Sequence, residues 1–371
     1  MNKYNFTHLF LNNSAGYNKE TQLFIEKLRF KYKQLFAYRY LENAPKTNRN
    51  NVIVDKEICS INKVKEYLKI SDFVFLHALN YSRKEILKLN DEECKKIIWC
   101  VWGHDLYEVD IHHNNLYLIL RKIYRILKHR EYEKKQVAAK ISKFRAIVIG
   151  FEGDRYTIRN LYGNDVPIYK AGYPGGFYSE DLKRWCKLPV KHKKLRILLG
   201  HSAYHFLQHK YYLSKFVKYK ENLEFYIPLS YGNKKYAEEV QQLAEKNYPK
   251  ENLKIFKDIL NFEDYFKMLC DIDIAIFDYK HQAAVGNIML LLYLQKHVFL
   301  NPNGILYRGF KTAGIDVFST LDLEKADFSK LTNSLIDEHN KQYVERAISY
   351  SSFVKNWSLL FNDLIKMKKE I

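Results

Sequence analysis

Three side chains that can move protons lie close together in the first third of the chain. Residues 99–108 read Trp-Cys-Val-Trp-Gly-His-Asp-Leu-Tyr-Glu, and they bring His104, Asp105 and Glu108 together after an apolar run and a glycine. A carboxylate or an imidazole at such a position can act as a general base in group transfer. The same residue types also cap helices, so His104 and Asp105 can instead begin the next helix. Either way, the segment follows a strand, where open α/β sheets bind their ligands.

Two segments in the second half of the chain have the composition of phosphate and nucleobase sites. The apolar run that starts at Arg196 leads into Gly200 and Ser202. Glycine permits close approach of the backbone, and a serine hydroxyl either donates to a phosphate or caps a helix. A later apolar run leads into Tyr231 and Gly232. The tyrosine ring can stack on a nucleobase, although a plain turn fits these residues equally well.

A third segment combines basic side chains with the start of an apolar helix. Lys280, His281 and Gln282 come shortly before Gly286 and Asn287, after which the sequence is strongly apolar. The first N–H groups of such a helix favour an anion, so the segment predicts a diphosphate site. The sequence contains neither GxxxxGK[ST] nor GxGxxG, which gives no support to a P-loop ATPase or an NAD enzyme.

The sequence gives no sign of a metal or another cofactor. The chain has five cysteines, which never form a CxxC pair: Cys59, Cys94, Cys100, Cys186 and Cys270. Neither a zinc site nor a disulfide framework is indicated, and a reducing compartment fits best. Asp271-Ile-Asp273 has the spacing of a DxD metal motif, but we interpret it as the polar start of a strand, because hard cations need several oxygen ligands.

The elements that must position these residues alternate between strand and helix. We expect strands at residues 4–11, 51–54, 72–77, 96–102 and 146–149, and again at 195–199, 223–228, 253–256, 272–277 and 298–301. Such alternation predicts an α/β protein with parallel sheets in right-handed βαβ units. At 371 residues the chain is too long for one typical core. We therefore expect two Rossmann-like domains facing a central cleft, at 1–185 and 186–335, with C-terminal helices at 336–371 and a basic linker around 183–196.

The chain is strongly basic, and the charge is concentrated. The formal net charge is +19, and residues 121–145 alone hold ten Lys or Arg and two acidic residues, a net charge of +8. Leucine and isoleucine recur there at helical spacing, which predicts a basic amphipathic helix. Lys122, Arg125 and Lys128 could face an anionic membrane surface, or the apolar side could pack on its own domain. The sequence shows no secretory signal and no run of about 20 apolar residues.

Taken in order, the motifs resemble glycosyltransferase family 56. The resemblance rests on Trp102-Gly-His-Asp-Leu-Tyr-Glu108, on Ile197-Leu-Leu-Gly-His-Ser202 with His209 seven residues later, and on Pro228-Leu-Ser-Tyr-Gly232. It continues through 262–265, Gln282 with Val285-Gly286, and 298–301, and it is weaker at His77 and Gly153-Asp154. This family contains the TDP-N-acetylfucosamine:lipid II N-acetylfucosaminyltransferases of enterobacterial common antigen synthesis.

The resemblance implies a GT-B fold and a metal-independent sugar transfer. It implies that the C-terminal domain binds the donor and that the N-terminal domain binds the acceptor, with His77 on the acceptor side. In an inverting reaction Asp105 would be the base, with Glu108 and His104 as alternatives, and in a retaining reaction Asp105 would orient the acceptor. The implied donor-binding residues are Gly200, Ser202, His209, Tyr231, Gly232, Lys280, His281, Gln282, Gly286 and Asn287.

The sequence departs from the family pattern at three places. His201 stands where the family has Asn, His104 stands where it has Ala, and His281 stands where it has an arginine suited to a diphosphate. These changes are compatible with transfer from a nucleotide-diphosphate donor. The sugar and the base of that donor can differ from those of the family.

The expected partners follow from the resemblance and the charge together. They are a TDP- or UDP-sugar, a polyprenyl-diphosphate-linked glycan acceptor, and the cytoplasmic face of the inner membrane, where the protein would be peripheral. Two other classes stay open. A net charge of +19 also suits a nucleic-acid-binding protein, although no helix-turn-helix, zinc or RNA-binding motif is present. A non-catalytic nucleotide-sugar-binding protein of the same fold would also carry altered motifs.

Overall fold

The computed structural model describes residues 3–11, 15–28, 32–40, 50–81, 83–107, 130–174, 178–185, 192–325, 336 and 338–369. Among these residues the chain forms two compact units. The first unit contains the residues up to Tyr178 together with those from Ile348 onward, and the second unit contains Ser179–Ala347. Each unit is built around one parallel sheet, as the alternation of strands and helices predicts.

The described part of the first unit holds a sheet of seven strands. They are β1 (Tyr4–Phe10), β2 (Gln34–Tyr38), β3 (Val52–Val54), β4 (Ser71–His77), β5 (Ile97–Cys100), β6 (Ala146–Ile149) and β7 (Ile168–Lys170). Their order is β3-β2-β1-β4-β5-β6-β7, and all neighbours are parallel. The five expected strands are present with bounds within two residues. The sequence did not predict β2 and β7, which have five and three residues.

The second unit holds a sheet of six strands. They are β8 (Leu195–Leu199), β9 (Leu223–Pro228), β10 (Leu253–Phe256), β11 (Ile274–Phe277), β12 (His297–Leu300) and β13 (Phe318–Ser319). Their order is β10-β9-β8-β11-β12-β13, and all neighbours are parallel. The predicted bounds of β8, β9 and β10 match the structure, and β11 begins two residues later than expected. The two-residue strand β13 is too short to leave a pattern in the sequence.

Helices connect the strands on both faces of each sheet. In the first unit they are α1 (Ala15–Lys27), α2 (Ile61–Ile70), α3 (Arg83–Leu87), α4 (Asp91–Cys94), α5 (His104–Tyr107), α6 (Arg130–Ile141) and α7 (Asp154–Tyr162). In the second they are α8 (Ser179–Trp185), α9 (His209–Lys215), α10 (Lys234–Asn247), α11 (Phe262–Cys270), α12 (Val285–Tyr293), α13 (Ile305–Thr312), α14 (Asp322–Lys325) and α15 (His339–Ala347). The helix α16 (Tyr350–Lys369) returns to the first unit. Across the described residues, we find no helix with the length and apolar character to cross a bilayer.

The last helix completes the core of the first unit. Trp357 of α16 is buried, and its indole N–H donates to the carbonyl oxygen of Gly172 at 3.0 Å. The ring of Phe361 lies 4.8 Å from that of Phe6 on β1 and 5.6 Å from that of Phe75 on β4. Since buried aromatic side chains dominate core energetics, α16 covers one face of the sheet as an integral element.

Strand order locates one ligand-binding position in each sheet. The order reverses between β1 and β4 in the first sheet and between β8 and β11 in the second. Open α/β sheets bind ligands outside the carboxyl ends of the strands at such a reversal. His77 ends β4, and Gly200 follows β8. Several residues that the sequence singled out are therefore at the expected edges.

Candidate active site

Two glycines shape the carboxyl edge of the second sheet. Gly200 has φ +71°, and a Cβ there would lie 2.7 Å from Nε2 of His209. Gly232 has φ +112°, and a Cβ there would lie 2.7 Å from the carbonyl oxygen of Ala203. Ala203 N–H donates to the Tyr231 carbonyl at 2.7 Å. The loops after β8 and β9 are therefore joined through backbone contacts that leave no room for a side chain.

Besides Nε2 of His209, which lies beneath Gly200, three polar atoms at this edge are buried and lack hydrogen-bond partners among the described residues. They are Oγ of Ser202, Nδ1 of His201 and Nε2 of His281. Ser202 is fully buried, so its hydroxyl has lost water without gaining a protein partner. Such a group costs free energy unless a ligand satisfies it. The sequence analysis named Ser202 and His281 as site residues, whereas it noted His201 only as a departure from the family pattern.

The histidines at this edge are held neutral by their surroundings. Burial lowers the pKa of His201 to about 3, that of His209 to about 3 and that of His281 to about 4. His209 lies beneath Gly200, and its Nδ1 is 3.4 Å from the hydroxyl of Tyr236. At neutral pH these imidazoles are therefore hydrogen-bonding groups rather than cations.

The loop after β11 brings the third predicted segment to the same edge. It leads into α12, which begins after Ala284 in a left-handed conformation and has no side-chain cap. Gly286 and Asn287 lie in the first turn of this helix. Lys280 is exposed and Gln282 is half-buried. The uncapped N–H groups of the first turn can therefore accept an anion.

A cavity of about 210 Å³ lies at the ends of β11, β12 and β13. Asp278 lines it and accepts hydrogen bonds from the hydroxyl of Tyr212 at 2.8 Å and from Nδ2 of Asn301 at 2.7 Å. Gln208 and Asn303 add amide groups to its wall. Ligand pockets typically have volumes of about 300–1,000 Å³, so this cavity is small for a whole nucleotide sugar.

In the first unit, Asp105 is bound by groups from two strand ends. Its Oδ2 accepts from the backbone N–H of Leu79 at 2.8 Å and from Nε1 of buried Trp99 at 2.7 Å. Its Oδ1 accepts from the backbone N–H of Trp102 at 2.9 Å. The carboxylate therefore connects the segments that follow β4 and β5 through hydrogen bonds. Its predicted role as a base stays a prediction.

Within the part of the chain that the structure describes, one ring nitrogen of His104 has no hydrogen-bond partner, as a base requires. Its Nε2 lies 2.9 Å from Oδ1 of Asn80, and since that oxygen only accepts, Nε2 carries the hydrogen. The lone pair is then on Nδ1 of an exposed side chain. Four other predicted site residues lie outside the described residues: Glu108, Lys122, Arg125 and Lys128.

His77 belongs to a buried chain of hydrogen bonds. Its Nδ1 is 3.0 Å from the hydroxyl of Tyr173, and its Nε2 is 3.1 Å from Nδ1 of His8. Nε2 of His8 lies 3.1 Å from Oε1 of Gln34, which can only accept. Each donor is thereby fixed, and Tyr173 donates to His77. Contact of His77 with an acceptor stays a prediction, and in the structure both of its ring nitrogens are engaged.

Asp154 carries a buried carboxyl group. In the sequence it stood out only as part of Gly153-Asp154, where the chain weakly resembles the family. It begins α7 directly after Gly153, and its Oδ1 accepts from the hydroxyl of Tyr107 at 2.7 Å. Burial raises the pKa of Asp154 to about 7, and the nearby Asp105 carboxylate adds to this effect. Buried carboxyls with raised pKa values are frequent at functional sites.

The titration of Asp154 gives a testable pH dependence. An unfolded Asp ionises near 3.8, whereas native Asp154 holds its proton up to about pH 7. The native state then binds more protons between these values, so stability falls as the pH rises through this window. We expect Asp154→Asn to stabilise the first unit by about 1–3 kcal/mol at pH 8 and to lose that advantage at pH 4.

Urea unfolding of both proteins from pH 4 to pH 8 measures this difference. Asp165→Asn, a change at an exposed aspartate of the same unit, serves as the control and should show no comparable pH dependence. A constant stability difference between Asp154→Asn and the wild type across this range would contradict the assignment.

Comparison with known proteins identifies the family. The family described as 4-alpha-L-fucosyltransferase, glycosyl transferase group 56, matches residues 61–363, which is most of the chain. This agrees with the resemblance seen in the motifs.

Solved structures support the fold at low sequence identity. HepE of Anabaena, determined in complex with UDP and glucose, is 9% identical with a TM-score of 0.62, covering 97% of this chain and 99% of that one. The trehalose-6-phosphate synthase OtsA is 10% identical with a TM-score of 0.55, covering 99% of each chain. A glycosyltransferase from Rickettsia africae is 13% identical with a TM-score of 0.56, covering 99% of this chain and 100% of that one. The chain therefore has the GT-B fold and belongs to glycosyltransferase family 56, and it is a glycosyltransferase.

Proposed function

We propose that the enzyme transfers a deoxy sugar of the fucose type, such as N-acetylfucosamine, from a TDP or UDP donor to a polyprenyl-diphosphate-linked or other cell-surface glycan. The observation that carries the donor part is the set of unpartnered buried atoms on Ser202, His201 and His281. They lie where the strand order of the second sheet reverses, at an edge that also presents the uncapped start of α12. A diphosphate would satisfy all three. HepE, which shares the fold, binds UDP and glucose.

The reaction is a displacement at the anomeric carbon, in which the nucleoside diphosphate leaves with the bonding electrons. The departing negative charge needs preorganised donors. We assign this role to the first turn of α12 with Gly286 and Asn287, to Ser202, and to Lys280 and His281. Tyr231 and Gly232 would lie by the base or ribose, Gln282 beside the diphosphate, and His209 would support Gly200.

If the reaction inverts configuration, a base must take the proton of the acceptor hydroxyl. We assign this step to Nδ1 of His104, because Asn80 fixes the hydrogen on its other nitrogen. Asp105 is then a positioning residue, since its oxygens already accept three hydrogen bonds from the segments around β4 and β5. A retaining reaction needs no such base, and His104 would then orient the acceptor.

Calorimetric titration of the full chain with UDP, TDP and GDP tests the donor site. We expect one of the three to bind, and we expect Ser202→Ala to weaken that binding about tenfold through loss of one hydrogen bond to a phosphate. The same variant should be as stable as the wild type or about 1 kcal/mol more stable without nucleotide, because it removes an unsatisfied buried hydroxyl.

Ser214→Ala provides the matched control, because Ser214 is exposed on α9 of the same unit. It should change neither binding nor stability. Failure of all three nucleotides to bind the wild type would contradict the proposal. Equal nucleotide affinity in Ser202→Ala and the wild type would remove Ser202 from the donor site.

We also propose that the enzyme works at the anionic surface of the inner membrane, on the cytoplasmic face. The support is the net charge of +8 in residues 121–145 and the anionic nature of a polyprenyl-diphosphate acceptor. Changing Lys122, Arg125 and Lys128 to Glu should weaken binding to phosphatidylglycerol vesicles by at least ~100-fold, at about 1 kcal/mol per lost basic residue. Nucleotide binding should be unchanged. Vesicle flotation measures the effect, and undiminished binding of the triple variant would refute this part of the proposal.

A further inference from the structure

We propose that His281 takes up a proton when the donor diphosphate binds, whereas His201 binds the same diphosphate as a neutral hydrogen-bond donor, so that donor affinity falls as the pH rises. The inference rests on the proposed function, because the diphosphate is part of the donor. It gives different roles to two histidines at one edge of the second sheet.

The two imidazoles follow neighbouring strands and share one aromatic neighbour. His201 follows β8 and His281 lies in the loop after β11, and these strands pair directly. The ring centre of Tyr279 is 6.1 Å from that of His201 and 5.1 Å from that of His281. Nδ1 of His201 and Nε2 of His281 are both buried without a hydrogen-bond partner in the described part of the chain. With the Ser202 hydroxyl, three groups that can each donate a hydrogen bond await an acceptor.

The titratable groups that face these imidazoles do not raise the pKa of either one. They are His209 of α9, Tyr231 from the loop after β9, and Tyr279 from the loop after β11, while the exposed Lys280 precedes His281 in the chain. Within the described residues, no carboxylate contributes to the pKa of either His201 or His281. Without a ligand, both imidazoles are therefore neutral at physiological pH.

Binding of a diphosphate raises the pKa of one of these two imidazoles, that of His281. An opposite charge within about 4–6 Å raises the pKa of a basic group by roughly 1–3, and a diphosphate carries at least two such charges. His281 starts from a pKa of about 4 and is half-buried, so the ligand can bring it into the neutral range. His201 starts from about 3 and lies close enough to His281 that a charge there lowers its pKa further. One proton, taken from the buffer, therefore goes to His281.

Calorimetry of UDP and TDP binding at pH 6, 7 and 8, in buffers of different ionisation enthalpy, counts the protons taken up. For the wild type we expect up to one proton per nucleotide and an affinity that falls by as much as about tenfold per pH unit. His281→Arg should bind at all three pH values without that uptake, because its charge is permanent. His281→Gln should bind weakly at all three.

Two controls separate proton uptake by His281 from titration of the nucleotide itself and from a general effect of losing a histidine. The terminal phosphate of the nucleotide titrates at about pH 6, but it contributes equally in every variant, so only the difference from the wild type counts. His192→Gln repeats the substitution before the opposite end of β8, and it should behave as the wild type does. If wild type and His281→Gln show the same uptake and pH slope, the inference is overturned while the donor site stands. If the wild type binds neither nucleotide at any pH, the proposed UDP or TDP donor is overturned together with the inference.

Discussion

Replacing Asp105 by asparagine should lower the stability of the first unit by about 3 kcal/mol or more and abolish sugar transfer. The carboxylate accepts from two backbone N–H groups and from the indole of buried Trp99. An asparagine has one accepting oxygen, so in either orientation its NH₂ group faces at least one N–H donor. A buried donor left without a partner costs about 1–3 kcal/mol, and more where the lost acceptor was charged.

Urea unfolding measures this loss, and nucleotide release from the donor measures transfer. Asp91→Asn is the matched control, because Asp91 is exposed and its ion pairs with Lys140 and Lys143 lie at the surface, where such pairs contribute little. An Asp105→Asn protein that unfolds like the wild type but fails to turn over would contradict the positioning role. It would restore Asp105 as the base.

Gly232→Ala should lower the stability of the second unit by about 3 kcal/mol and weaken UDP or TDP binding at least ~100-fold. The added Cβ would meet the backbone of Ala203, with the carbonyl oxygen at 2.7 Å and the carbonyl carbon at 2.9 Å. Backbone cannot swing aside as the end of a side chain can, so the loop that carries Ser202 must shift. The φ of +112° adds strain of about 1 kcal/mol or more.

Gly314→Ala separates these two causes. Gly314 lies in the same unit at φ +73°, and a Cβ there would be in ordinary contact, 3.8 Å from His339. This control incurs the backbone strain without the collision, so it should cost about 1 kcal/mol and leave nucleotide binding intact. Equal losses of stability and affinity in the two variants would mean that the contact between Gly232 and Ala203 does not hold the donor site.

The sequence predicted several strands from short, mainly apolar runs between polar residues, although it missed β2, which is also such a run. Residues 195–199, 223–228 and 253–256 are such runs, and each is a strand with those bounds. The strand β13 has only two residues, Phe318–Ser319, and pairs with β12 across a helix, so no local pattern reveals it. The order of strands was likewise beyond the sequence, because it depends on pairing between distant segments.

For the candidate site, the sequence located the edges but not the contacts. It selected Gly200, Ser202 and Gly232 because small residues at strand ends permit close approach, and the structure joins these segments at Ala203. It could not tell that Asp105 receives hydrogen bonds from Leu79 and Trp99, since those donors come from other elements. A sequence shows which residue types follow a strand, whereas the hydrogen-bond partners of a side chain depend on tertiary structure.

The return of α16 to the first unit has a consequence for synthesis of the chain. The second unit, Ser179–Ala347, leaves the ribosome before α16 has been made. During that interval the rings of Phe6 and Phe75 lack the cover of Trp357 and Phe361. The nascent N-terminal half therefore exposes apolar surface until translation is nearly finished. The second unit is continuous in sequence over Ser179–Ala347, and such domains can fold as they emerge. For expression, a stop or a cleavage before Tyr350 would leave the first unit uncovered and prone to aggregate, with the second unit still intact.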